Sequence, residues 1–301
     1  MSLFDRLVTE ALGNRKDLAP LRMVVAKELL HHDILREMSA AGLLRNLTFI
    51  GGTCLRACYG SIRLSEDLDF TGGATFHRED LRDLGSILVQ RLEAKYGLAV
   101  AVSDPKKETG NVDTWKIRVS TQPEGKMLPI QRINIDICAV PSYDRQPMML
   151  NNMYGVDMGT YGLILQAQSR EEIMADKVVA LALRANRLKN RDLWDLVWLK
   201  QQGVNAARDL VAGKLRDRRI EAGEFLEILH GRQLTLEGDS AVRRDFIDEM
   251  KRFLPGDIVA KTIVDKNFWK YLCFVVREEC EKVAAVLGDP PGWSNGGYQL
   301  Q

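Results

Sequence analysis

Apolar residues recur at helical spacing near the start of the chain. Met23, Val24, Leu29, Leu30, Ile34 and Leu35 line one side of a helix over residues 20–45, and a shorter helix fits 3–12. The period then changes. Leu47-Thr48-Phe49-Ile50 is a short apolar run that stops at Gly51-Gly52, the pattern of a buried strand before a tight turn, and residues 53–60 make a helix or turn. Leu68 and Phe70 flank Asp69 in a second strand, an amphipathic helix follows at 79–96, and Leu98–Val102 is a third apolar segment. Trp115–Ser120 alternates with period two. So does the run from Ile133 to Val140, which Pro141 ends and in which Asn134 and Asp136 share one face opposite Ile133, Ile135 and Ile137.

From about residue 169 the pattern is helical almost throughout, opening on Ser169 as N-cap with Glu172 three residues later as a capping box. The fold class expected is therefore α/β (α+β), a mixed sheet with flanking helices in the N-terminal half and an all-helical C-terminal lobe. The domains expected are a core lobe with N-terminal helices over 1–160 and a helical lobe over 161–288. Residues 289–301, rich in proline and glycine, are expected to be a flexible tail.

Composition adds little to this picture and excludes several classes. Of 301 residues, 46% are hydrophobic and 28% charged, which is ordinary globular usage and argues against disorder. No run approaches the roughly 18 apolar residues of a membrane span, and the first 20 residues carry too many charges for a signal peptide, so a cytoplasmic protein without membrane contact is expected. The five cysteines show no Cys-x-x-Cys spacing and read as reduced packing thiols. His31 and His32 read as lying on a polar part of their helix, and no Ser-His-Asp or Walker-type pattern is present. Net charge is only +1, so any case for a polyanionic partner has to be local.

The chemistry concentrates in Ile50-Gly51-Gly52-Thr53 and Ser65-Glu66-Asp67-Leu68-Asp69-Phe70. Residues i and i+2 of a strand point the same way, so Asp67 and Asp69 place two carboxylates side by side. At about 4 Å two such charges repel by roughly 4 kcal/mol at an effective dielectric near 20, and they need a cation, a shared proton or full solvation. Mg²⁺ (or Mn²⁺) is a hard cation that suits them, and Asp136, on a strand whose other face is apolar, is a candidate third carboxylate. The Gly51-Gly52 turn lets backbone N–H groups approach phosphate oxygens, and a helix starting near Thr53 adds its positive end. An Asp-x-Asp pair alone is an ordinary solvated strand end; its combination with the glycine turn and the later Ile-Asp-Ile strand favours a metal site.

The pattern Gly51-Gly52-Thr53, Arg63, Ser65 and Asp67-Leu68-Asp69-Phe70 resembles the first motif of the AbiEii/AbiGii nucleotidyltransferase toxins, a MenT-like family within the DNA polymerase β-like superfamily. A second stretch is similar to the family's later motifs: Asp176-Lys177-Val178-Val179-Ala180-Leu181 with Arg184, then Lys189 and Arg191-Asp192-Leu193-Trp194-Asp195-Leu196. The resemblance spans about residues 47–200. It implies that Asp67 and Asp69 bind metal, with Asp136 as a possible third ligand and base, and that Ser65 contacts a phosphate.

On residue spacing, Lys177 and Arg184 fall two helical turns apart and read as a triphosphate clamp, while Arg191, within the second motif, is a further nucleotide-binding candidate. Asp195 is assigned direct catalytic involvement and Asp192 a structural ion pair. Between Arg184 and Arg219 ten Lys or Arg face four Asp, a local net of +6 that suits a phosphodiester backbone or a solvated helical face alike. Trp194 and Trp198 read as core.

The expected reaction is attack of an acceptor hydroxyl on the α-phosphorus of a nucleoside triphosphate (NTP), with loss of pyrophosphate. The resemblance implies an RNA acceptor, the 3′ end of tRNA, and the toxin role in a toxin–antitoxin or phage-defence system with a separately encoded antitoxin. Two other classes stay open: a nucleotidyltransferase acting on a small molecule or a protein side chain, and a binding module that keeps the fold without the chemistry.

Overall fold

The computed structural model describes residues 1–105, 110–121, 130–185, 187–206 and 208–288. The tail expected over 289–301 lies outside them. The chain divides into two compact units: Met1–Gln168 with Phe253–Asp257, and Ser169–Arg252 with Ile258–Gln301.

The first unit opens with helices α1 (Leu3–Asn14) and α2 (Arg22–Ala40). α2 is shorter than its apolar period promised. Gly42 adopts φ +73°, and the Leu43 and Gly42 amides bond back to the Met38 and Ser39 carbonyls, a Schellman ending that closes the helix before residue 45. Strand β1 (Thr48–Ile50) passes without a loop into α3 (Gly51–Tyr59), followed by β2 (Leu68–Thr71), α4 (Leu84–Tyr96), β3 (Val100–Ser103), β4 (Val112–Val119) and β5 (Gln131–Cys138). Two further strands, β6 (Arg145–Met149) and β7 (Ile164–Gln168), complete the sheet. Neither announces itself in the sequence: in β6 every residue is exposed or half-buried, so no alternation marks it.

The seven strands run β3-β4-β5-β2-β1-β7-β6, with β2 parallel to β5, β1 parallel to β7 and the remaining pairs antiparallel. β5 buries Ile133, Ile135 and Ile137 while Asn134 and Asp136 stay half-buried, as the period-two pattern required. The central strands stack Phe49 on Phe70, ring centroids 5.1 Å apart.

The second unit is helical among its described residues: α5 (Arg170–Leu183), α6 (Asn190–Gln201), α7 (Arg208–Arg218), α8 (Ala222–Gly238), α9 (Ser240–Met250), α10 (Gly256–Lys261) and α11 (Lys266–Leu287). The first two residues of α10 belong to the first unit. Ser169 caps α5, its side chain accepting from the Glu172 amide at 3.1 Å. The Glu172 carboxylate accepts from the buried Lys214 ammonium at 2.8 Å, tying α5 to α7. Trp194 and Trp198 are buried, and Trp194 lies 5.8 Å from Phe268, so both serve the core.

Candidate active site

The turn between β1 and α3 sets the geometry. Gly51 leaves the strand at φ +76°, a conformation that L side chains rarely adopt. A Cβ at this position would stand 2.9 Å from Asp69 Oδ2, so the glycine also makes room for that carboxylate. Ile50 and Asp69 are register partners across β1 and β2, and Asp69 and Asp136 are register partners across the parallel pair β2 and β5. Adjacent partners in a sheet share a face, so Asp69 and Asp136 stand on one side of it while Leu68, Phe70, Ile135 and Ile137 are buried on the other.

Asp67 lies one residue before β2 and, two residues from Asp69, is half-buried like it. Its Oδ1 accepts from the Asn134 amide at 3.0 Å, which orients the carboxylate from β5. Asp136 Oδ1 accepts from the Thr114 hydroxyl at 2.7 Å. Among the described residues no three of His, Cys, Asp or Glu are grouped to cage a metal ion. The donor set still fits a small hard cation. Mg²⁺ is typically held by one or two carboxylates, with waters and substrate phosphates completing its shell, and Asp67 and Asp69 offer that pair.

Thr53 and Ser65 sit inward. Both are buried, their hydroxyl oxygens 2.7 Å apart, and the Thr53 hydroxyl also bonds the Asp67 carbonyl. The Ser65 amide donates to Glu28 Oε1 at 2.7 Å. Arg63 is buried as well and donates to the Leu64 carbonyl at 2.9 Å. These side chains brace the loop that leads into the aspartates. At the start of α3, Gly51 is half-buried and Gly52 buried.

Sequence reading missed a buried polar network on α2. Glu28 takes Arg56 Nε at 3.0 Å and the Tyr154 hydroxyl, and His31 Nε2 lies 3.0 Å from the Glu66 carbonyl. His31 and His32 are buried, which corrects their assignment to a polar face, and burial lowers the His32 pKa to about 4. The available signal was spacing: Leu21, Val25, Glu28, His32 and Leu35 recur at core-facing intervals, so polar residues occupy positions that the helix buries.

In the helical unit Lys177 is buried on α5 and reaches both carboxylates of α6, Asp192 Oδ1 at 2.5 Å and Asp195 Oδ2 at 2.8 Å. Asp195 is 0% exposed and Asp192 3%. Burial alone would raise the Asp192 pKa, but the charges of Lys177, Arg184 and Lys189 outweigh it and hold the group at about 2. α5 stops at Leu183, so Arg184 is its C-cap with extended backbone, φ −68° and ψ 127°, and not a second cation on the helix face. It nonetheless approaches Asp192 Oδ2 at 3.4 Å. Arg191 pairs with Glu249, 3.4 Å away on α9.

The description "Nucleotidyl transferase AbiEii toxin, Type IV TA system" matches residues 33–272. Among solved structures, MenT4, a nucleotidyltransferase toxin from Mycobacterium tuberculosis H37Rv, aligns with a TM-score of 0.52 at 17% identity, over 94% of this chain and 98% of that one. JHP933 from Helicobacter pylori aligns with a TM-score of 0.44 at 16% identity, over 87% and 94%. No curated protein matches. The class is thereby defined: the enzyme is a nucleotidyltransferase. The chain belongs to the AbiEii family of nucleotidyltransferase toxins, those of type IV toxin–antitoxin systems.

Proposed function

We propose that this chain transfers a nucleotide from an NTP to an RNA acceptor, the 3′ end of a tRNA, with a divalent metal ion held by Asp67 and Asp69. The observation that carries the reading is the meeting of the Asp69 carboxylate with the Gly51 turn, where the backbone is bent to admit it at the start of a helix. When bound, the metal ion neutralises triphosphate charge and acidifies the attacking hydroxyl. The amides of Gly52 and Thr53, in the first turn of α3, are the donors we assign to phosphate oxygens. Asp136, bonded to Thr114 and neighbouring Asp69, is assigned as the base that receives the acceptor hydroxyl's proton. That hydroxyl oxygen attacks the α-phosphorus, the bond to the bridging oxygen breaks, and pyrophosphate leaves.

Lys177, Arg184 and Arg191 are assigned to triphosphate charge, each of them already facing a carboxylate, Lys177 two of them. Asp195, buried against Lys177, is assigned to position that ammonium. The separately encoded antitoxin belongs to this reading as the system's second component. Each of the four labelled triphosphates, incubated with the protein, Mg²⁺ and total RNA, tests it. Label from one triphosphate is expected at RNA 3′ ends in the tRNA size range; label confined to protein or small molecules rejects the RNA acceptor, and no transfer at all rejects the chemistry.

A further inference from the structure

Three consecutive residues ahead of β2 are anchored through their backbone. The Ser65 amide donates to Glu28, the Glu66 carbonyl lies 3.0 Å from His31 Nε2, and the Asp67 carbonyl accepts from Thr53. Two of these anchors come from α2, and Lys27 of the same helix adds an ion pair to Glu66 Oε1 at 2.8 Å. A carbonyl only accepts, so His31 carries its proton on Nε2. Its Nδ1 has no protein partner among the described residues, and burial lowers the pKa of the ring, so both favour the neutral form.

The Glu66 carbonyl shares a rigid peptide plane with the Asp67 nitrogen and Cα. Fixing that oxygen therefore fixes the point from which the Asp67 side chain departs, while Asn134 orients its far end. We infer that His31 is a positioning residue for Asp67, holding the Glu66 carbonyl so that the Asp67 carboxylate is presented to the divalent ion. The inference rests on the metal reading above and deepens it. Glu28 also serves Arg56 and Tyr154, so its loss would disturb the core; among the described residues His31 has the Glu66 carbonyl as its hydrogen-bond partner, which makes it the cleaner probe.

The test is Mn²⁺ affinity by electron paramagnetic resonance for the full chain and its His31→Leu, His31→Gln and His31→Asn variants, beside steady-state kinetics and Tm. Glutamine returns an amide N–H near the Nε2 position, whereas asparagine places it near Nδ1. Leucine and asparagine are expected to weaken Mn²⁺ binding about tenfold, the scale of one lost buried hydrogen bond, and glutamine to stay within about twofold. The same two variants are expected to lower kcat with little change in the NTP KM. Equal Mn²⁺ affinity in the Gln and Asn variants, or unchanged affinity in His31→Leu, overturns the inference, and the Gln and Asn pair decides alone if the leucine variant does not fold. A wild-type chain that binds no Mn²⁺ overturns the metal reading and takes this inference with it.

Discussion

Gly51 is the residue at which backbone conformation and chemistry meet. Its positive φ turns a strand into a helix within one peptide, and its missing Cβ leaves the space that Asp69 Oδ2 occupies. Alanine there suffers twice: it is strained in a left-handed conformation by about 1–2 kcal/mol, and its methyl displaces a carboxylate. A misplacement of about 1 Å can cost about a hundredfold in rate. Gly51→Ala is therefore expected to lose about a hundredfold or more in kcat/KM for nucleotide transfer, with a Tm only a few degrees lower. Transfer at near wild-type rates would show that Asp69 does not depend on that gap. The Asp-x-Asp pair and the glycine pair were legible at this scale, because each needs only local spacing. The bracing by Glu28, His31 and Thr114 was not, since those partners lie 22–37 residues away in sequence from what they hold.

The junction of α5 and α6 is governed by crowded charge. Burial first, and then the neighbouring Arg184, Lys177 and Arg191 charges, depress the Lys189 pKa from 10.5 to about 8, against the opposing pull of Asp192. Between pH 8 and 10.5 the folded state thus binds fewer protons than the unfolded chain, and the group's contribution to stability improves as pH rises through that window. The charged lysine is a burden at pH 7. Lys189→Met is expected to raise Tm at pH 7, with the gain shrinking toward pH 10. A gain that grows with pH would reverse the assignment. Reading Lys177 and Arg184 as one helical face failed here because α5 ends one residue before Arg184, and the two cations meet instead through Asp192.

Across the whole molecule, part of the apparent surplus of positive charge between Arg184 and Arg219 is taken up in pairs. Arg191 meets Glu249, Lys200 meets Glu278 and Glu279, Lys214 meets Glu172 and Asp176, and Arg218 approaches Asp176. Lys214 and Glu172 are buried, so that part of the stripe is core architecture, where removing one partner costs about 3–5 kcal/mol. The basic run in sequence therefore does not by itself argue for an RNA footprint, and the acceptor has to be argued from the reaction. Family membership carries an outcome at the scale of the cell: induced wild-type protein without its antitoxin is expected to arrest growth, and Asp69→Ala to abolish the arrest at equal protein level. Arrest by the variant would detach toxicity from the carboxylate site.

The sequence by itself determined the strands that alternate or end on glycine, the helical second half, the family and the candidate pair Asp67 and Asp69, since all of these depend on the order of neighbouring residues and on periods of two and 3.6. Only the tertiary structure decided that β6 and β7 extend the sheet, that Asp136 stands beside Asp69, that two histidines are buried and that Arg191, Lys200 and Lys214 of the basic stripe are paired. Those outcomes come from contacts between residues distant along the chain, and burial or charge pairing at a position is set by what the fold brings against it.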